Sequence, residues 1–439
     1  MCFMFSVKFE TQKFVEEELS NINMPEMKGK EGRFQYTITD VKITELNLTH
    51  ADLQFIPEVG LLFDVQNSSI TLSFHRRILY WFFYDTGNIN ASAEGVNINT
   101  ILNLIRDDDG RLKINNITCD ARIDKMKAQF SGTLGRVYDF LASFLTSGMR
   151  FLLNQRICPA LNHAALVHVN SMLETIPVRT EVDQYIGIDY SLIDDPVVTS
   201  RSLDMNFRGM FFDLSHQNDT LVNYAVDPVI REYDRMVYLA LSEFFFDSGM
   251  FSYFTAGIFQ MDIVNEKNPA LVEAPLSLQL AVNSPPKTSI KTSGATVVMT
   301  AIVKVMVLPP GQPPVQLSSM TMVYTHIHTS FFYFFRILLD FFDSNIFKIF
   351  SNQSALESLA LIPLQAPLKT MLQMSVVPLI NNWTKRGVQI PLADGMDFIE
   401  EVVEYHNGFI VIGANLHFSK GLREMIAGNT EMEPETNTV

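Results

Sequence analysis

Two hydrophobic spacings divide the chain. From Arg33 to Phe130, apolar and polar positions alternate. Phe34, Tyr36 and Ile38 form one run, Val41 and Ile43 the next, then Leu46 and Leu48, then Phe63 and Val65. Ile70, Leu72 and Phe74 follow, then Val96 and Ile98, then Leu112 and Ile114. Period two is strand spacing, and each change of phase predicts a bulge or bend. Asp107-Asp108-Asp109-Gly110 predicts a turn. The whole reads as a long antiparallel meander with one apolar face.

From Ser131 to Val178 the spacing becomes helical: Val137, Phe140, Leu141, Phe144, Leu145, Gly148, Phe151 and Leu152, continued by Leu161, Ala164, Ala165, Val167 and Met172. A helix of ~40 residues would be ~60 Å long. Pro159 lacks an amide donor and predicts a kink after Cys158. This rod reads either as an ordinary core helix or as one wall of an elongated apolar compartment that the meander covers. Residues 9–23 predict the end of an amphipathic helix with Phe14, Leu19 and Ile22 inward, stopped by Pro25.

Tyr80-Trp81-Phe82-Phe83-Tyr84 breaks the alternation and puts rings on both faces of a strand. The turn is expected just after, at Asp85-Thr86-Gly87-Asn88. Tyr80, Trp81, Phe82 and Phe83 then sit near a hairpin end, packed under a loop or dipping into a lipid surface, where Trp and Tyr favour the interface.

The second half repeats the plan. A strand-like RMVYLAL passes into a helix-like SEFFFDSGMFSYF. Val297, Met299, Ala301, Val303, Val305 and Val307 alternate, and LPPGQPPV makes a turn. Ser354–Pro391 reads as a second long apolar helix carrying Leu359, Leu368, Met371 and Leu372. Val377-Pro378-Leu379-Ile380-Asn381 echoes Cys158-Pro159-Ala160-Leu161-Asn162, so an internal duplication is the economical explanation. The expected division is residues 1–213, a linker at 214–234, residues 235–428, and a disordered acidic tail at 429–439.

Composition narrows the function. A net charge of −15 argues against nucleic acid and against tight binding to anionic surfaces. Of three cysteines, Cys119 falls on a strand face with Ile117, Ala121 and Ile123, and Cys158 falls on the long helix. A bridge between them would staple sheet to helix and leave Cys2 over. Seven Asn-x-Ser/Thr sequons, at Asn47, Asn67, Asn90, Asn116, Asn218, Asn352 and Asn382, favour a secretory route. MCFMFSVKFE is no secretory leader, and truncation of the start is the favoured explanation. Residues 331–350 are interrupted by Arg336, Asp340, Asp343 and Lys348, so a strand pair or an interfacial surface fits better than a membrane span.

The chain shows no nucleophile elbow, His-Glu-x-x-His, phosphate loop or dinucleotide fingerprint. His326 and His328 share a strand face without an evident carboxylate or cysteine partner. His163 and His168 are five apart, a poor ligand spacing on a helix. The Asp107–Gly110 run is too short for a calcium loop. No enzyme, metal or cofactor is expected. Apolar surface in excess, without chemistry, points to a carrier.

Several longer stretches carry a resemblance. Tyr80–Asp85 with Ile89–Gly95, Ser147–Pro159, Gly187–Leu192, Arg235–Tyr238, Ser242–Asp247, Gln316–Met322, Ser354–Gln373, Arg386–Leu392 and Leu416–Arg423 resemble the family of bactericidal/permeability-increasing, lipopolysaccharide-binding and cholesteryl ester transfer proteins. The resemblance covers nearly the whole chain. It implies an α+β fold of two elongated barrels of twisted antiparallel sheet, each wrapped on a long helix and joined by a central sheet in a boomerang. It implies a Cys119–Cys158 disulfide, glycans at Asn67, Asn90, Asn116, Asn218 and Asn352, and apolar pockets holding phospholipid as cargo. Val137, Leu141, Phe144, Leu145, Leu152, Leu359, Leu368, Met371 and Leu372 are the candidate lining. The expected partners are phospholipids and lipoprotein surfaces, outside the cell. The alternative is an innate-defence protein that binds lipopolysaccharide, but the acidic charge departs from the basic tip of the endotoxin-binding members.

Overall fold

The computed structural model describes residues 3–129, 135–216, 221–265, 276–309, 311–328, 331–333, 336–338, 346–354, 395–421 and 424. Helix α1 (Phe3–Ser20) precedes strands β1 (Met27–Glu31), β2 (Phe34–Asn47), β3 (His50–Ile56), β4 (Gly60–Tyr80), β5 (Phe83–Arg106) and β6 (Leu112–Gln129). These strands form one antiparallel sheet in the order β1-β2-β4-β5-β6, with β3 also on β4.

The changes of phase fall where bulges occur. β2 shifts register between Thr39 and Lys42 and between Ile43 and Glu45; Asp40 there has φ 56°. β4 shifts between Val65 and Ser68 and between Ser68 and Ser69, which returns Ile70, Leu72 and Phe74 to the buried face. Asp107–Gly110 forms the β5–β6 turn: the Asp107 carboxylate accepts the Arg111 amide at 2.7 Å, and Gly110 takes φ 84°.

Helix α2 (Gly135–His163) lies against this sheet, mainly along β6. Leu145, Met149, Leu153, Ile157 and Leu161 point inward, four residues apart, and meet Val15 and Leu19 of α1 and the sheet's buried face. The i+4 steps carry the stripe round the helix, so Phe151, expected inward, is exposed. Pro159 does not interrupt the helix. A π-helical segment at Ala164–Val169 follows one turn later, before the short α3 (Asn170–Glu174). Wider π turns align positions five apart, and the His163 and His168 rings meet edge to face at 5.0 Å. Helix α1 starts at Phe3, in keeping with 9–23 being only its end, and stops at Ser20, three residues short of the expected bound; Leu48 pins it, its carbonyl accepting from Gln12 Nε2 at 2.8 Å.

Short strands β7 (Arg179–Glu181), β8 (Ile186–Asp189), β9 (Val197–Val198), β10 (Leu203–Asp204) and β11 (Met210–Asp213) follow. β7, β8 and β11 form a three-stranded sheet whose Ile186, Ile188 and Phe211 pack with Leu241, Phe245, Ile410 and Ile412 of the second half. The second half opens as expected with β12 (Val237–Ser242) and α4 (Glu243–Thr255). Then come β13 (Gln260–Asn265), β14 (Leu276–Val282), β15 (Lys287–Lys291), β16 (Gly294–Val307), β17 (Val315–His328), β18 (Phe331–Tyr333), β19 (Arg336–Leu338), β20 (Ile346–Ser354), β21 (Met396–His406) and β22 (Phe409–Phe418). A second antiparallel sheet runs β13-β14-β16-β17-β20, with β15 also on β16. A three-stranded sheet, β12-β22-β21, stands beside α4 and β15. β18 and β19 pair, so the aromatic stretch contains the strand pair expected in place of a span. Among the described residues no helix is long and apolar enough to cross a membrane.

Helix α4 caps the outer edge of β15 with two carboxylates. The Ile290 amide donates to Glu243 Oε1 and the Thr288 amide to Asp247 Oδ1, each at 2.7 Å. Positions 243 and 247 are one helical turn apart and positions 288 and 290 are two strand residues apart, so the two spacings match. Desolvation raises the Asp247 carboxyl above its ordinary value, joined by Glu243 and opposed by the Thr288 amide and Lys287.

Candidate functional site

Tyr80 pairs with Phe83, so Trp81 and Phe82 are the whole β4–β5 turn. The expected turn, Asp85–Asn88, is instead strand, paired with His75–Ile78. A two-residue hairpin turn needs left-handed backbone, and Trp81 supplies it with φ 61°. The expectation missed this because a bulky residue at positive φ is rare, whereas Gly87 is the usual turn signal. Gly87 lies inside the β5 strand beside the Arg76 guanidinium, where a Cβ would make only ordinary contact at 3.7 Å. Arg76 is buried and ion-pairs with Asp85 at 2.8 Å, bracing the hairpin behind its tip.

The two turn rings face water. Trp81 is 65% and Phe82 89% exposed, and the rings stack at 5.8 Å. Under-loop packing is therefore excluded for these two. The β1–β2 turn, Gly32-Arg33, stands at the same end of the sheet, because Phe34 pairs with Tyr80. Arg33 lies over the Trp81 ring at 4.5 Å. The sequence reading missed Arg33; the Glu31-Gly32-Arg33 break between strand runs was the available signal. The tip thus combines two exposed rings with a cation, an amphipathic arrangement suited to an apolar–aqueous boundary.

Behind the tip, the candidate lining divides. Val137, Leu141 and Phe144 lie on α2; Leu145 is fully buried in the first core, and Leu152 is half-buried at its margin. Leu359, Leu368, Met371 and Leu372, with the expected second long helix, lie outside the described residues, as do Cys2 and the 429–439 tail.

Cys119 of β6 and Cys158 of α2 form a disulfide across 39 positions, with Cα atoms 5.6 Å apart. A second tie lies near its far end: buried Asn170 accepts the Ile114 amide at 2.8 Å and donates to the Ile114 carbonyl at 3.0 Å. Asn47, Asn67, Asn90 and Asn116 are exposed on β2, β4, β5 and β6, and Asn352 lies on β20. Asn218 and Asn382 lie outside the described residues. His326 and His328 sit on β17 opposite Val297 and Ala295.

Residues 5–176 match the model of the N-terminal domain of the LBP / BPI / CETP family, and residues 180–273 and 269–418 match that of its C-terminal domain. Human phospholipid transfer protein is 51% identical, over 98% of this chain and 92% of its own length. The mouse phospholipid transfer protein is 49% identical over 96% and 90%. Human lipopolysaccharide-binding protein is 23% identical over 92% and 90%. A crystal structure of lipopolysaccharide binding protein superposes with a TM-score of 0.64 at 19% identity, covering 95% of this chain and 97% of that one, which shows the shared fold. With both domain models matched along nearly the whole chain, half identity to full-length relatives and the shared fold, this chain belongs to the LBP / BPI / CETP family.

Proposed function

We propose that this protein carries phospholipid between lipoprotein or membrane surfaces in the extracellular space. The observation that carries the reading is half identity, over nearly the full length, to relatives named for phospholipid transfer. The exposed Trp81-Phe82 turn supports it as the docking point. In this reading the tip settles into the headgroup boundary, and acyl chains pass into apolar space alongside α2 while the head group stays near water. Burial is worth ~0.8 kcal/mol per methylene, enough for two acyl chains to offset leaving a bilayer. No covalent step is needed, so the protein is a carrier and not an enzyme, and phospholipid is its cargo. The exposed sequons at Asn67, Asn90 and Asn116 fit passage through the secretory route, and glycans at these three and at Asn218 and Asn352 belong to the same reading. Lipopolysaccharide binding is the weaker reading: those relatives stand near 23% identity, and a charge of −15 opposes a polyphosphorylated ligand.

The test is transfer of a fluorescent phosphatidylcholine from donor to acceptor vesicles, with lipopolysaccharide as competitor. Protein-dependent transfer that lipopolysaccharide leaves unchanged supports the proposal. No transfer, with tight lipopolysaccharide binding, would replace it with the defence reading.

A further inference from the structure

The segment between β11 and β12 crosses the end of the β21–β22 hairpin. Gly408 turns that hairpin with φ 91°, and a Cβ there would lie 3.3 Å from the Val226 Cβ, so the segment is packed on the turn. Six residues later Glu232 reaches Glu404 and His406, which are two positions apart on β21 and share a face. One ligand atom from each of the three residues lies within 4.8 Å of the others.

The arrangement is unsatisfied as a purely protein cluster. His406 Nε2 stands 3.8 Å from Glu404 Oε2, too far for a hydrogen bond. That nitrogen is shut off from solvent and has no hydrogen-bond partner among the described residues. The ring is held in place by stacking on Phe409 at 4.9 Å and 10°. Glu232 is oriented by the Arg231 amide, which donates to Oε2 at 2.9 Å. Among the described residues neither carboxylate ion-pairs with a lysine or arginine. Two carboxylates and an imidazole nitrogen therefore converge with no lysine or arginine among the described residues paired to them.

We infer that Glu232, Glu404 and His406 bind a zinc-class divalent cation that fastens the 221–235 segment to β21. Zinc takes histidine nitrogen and carboxylate oxygen at ~2.0–2.2 Å, so two donors on one ion stand ~3.4 Å apart at tetrahedral angles and up to ~4.2 Å across it. The 3.8 Å separation falls in that range, and the pairs involving Glu232 stand within 4.8 Å, so small side-chain rotations bring all three donors onto one ion. Imidazole with carboxylate selects zinc over calcium or magnesium, which prefer all-oxygen sets. Three protein donors leave one position for water. The role is structural, a clasp between the chain joining the two halves and the sheet beside α4. Sequence spacing could not show it, because Glu232 and His406 meet only through the fold.

The test is calorimetric titration of the full-length, chelator-stripped protein with zinc chloride, with calcium and magnesium chloride as controls. Trypsin cleavage at Arg231 is followed in parallel. One zinc per chain is expected, with slower cleavage at Arg231 when zinc is present. His406→Ala and Glu404→Gln should each weaken binding by ~10-fold or more. Glu404→Gln alters an exposed side chain and leaves the Phe409 stack intact, so it carries the test if His406→Ala fails to fold. Absence of zinc binding would overturn the inference. So would zinc binding that Glu404→Gln and Glu232→Gln leave unchanged, since the ion would then sit elsewhere.

Discussion

Phe82→Ala isolates the docking step, because the side chain is 89% exposed and contributes almost nothing to the core. A phenylalanine side chain offers ~200 Å² to a partner. At ~25 cal/mol per Å², full immersion of the exposed part would be worth ~4–5 kcal/mol. A turn that enters only the headgroup boundary gains about half of that, ~2 kcal/mol, which is ~30-fold in the vesicle partition constant. Trp81 remains in this variant as a reporter, and its emission should shift to the blue on vesicle binding in the unmodified protein. The assay is a vesicle titration read by that shift and checked by flotation. Phe82→Ala should keep its melting temperature and far-ultraviolet spectrum while partitioning ~30-fold more weakly. An unchanged partition constant would remove the β4–β5 tip from the mechanism.

Three further predictions concern the scaffold. Replacing both Cys119 and Cys158 by alanine opens a loop of 39 positions and should cost ~4 kcal/mol on loop-entropy grounds, read as a lower denaturation midpoint of the first domain. Asn170→Ala leaves the Ile114 amide and carbonyl buried and unpaired and should cost ~2–4 kcal/mol in the same experiment; an unchanged midpoint would mean that water takes over both bonds. Asp247 separates charge from hydrogen bonding. Its folded pKa is raised, so the folded state holds the proton more tightly and stability falls as pH rises from ~4 through the folded value. Asp247→Asn keeps an acceptor for Thr288 and should raise the melting temperature at neutral pH and flatten that slope, whereas Asp247→Ala should lower it; a lower value for both would refute the assignment.

What the sequence disclosed depended on how local its cause was. The bulges in β2 and β4 were legible because a bulge shifts the apolar alternation by one, and the shift is visible at Ile38/Val41 and Val65/Ile70. The disulfide followed from family resemblance and not from spacing. The aromatic turn was misplaced by a few residues because Trp81 takes a conformation that composition assigns to Gly87. Pro159 lies inside α2 and gave no sign of the π-helical segment at Ala164–Val169, where the chain leaves α2 for α3. Phe151 was put on the wrong face because the stripe drifts when contacts step by four. Arg33 over Trp81, and Glu232 beside His406, join residues distant in sequence, so only the folded chain could bring them together.

The most direct measurement is mass spectrometry of lipid extracted from the purified, full-length protein, quantified against protein concentration. Phospholipid is expected in stoichiometric amount, exchanging for labelled phospholipid on incubation with vesicles. Protein that emerges free of phospholipid and takes none up from vesicles would contradict it.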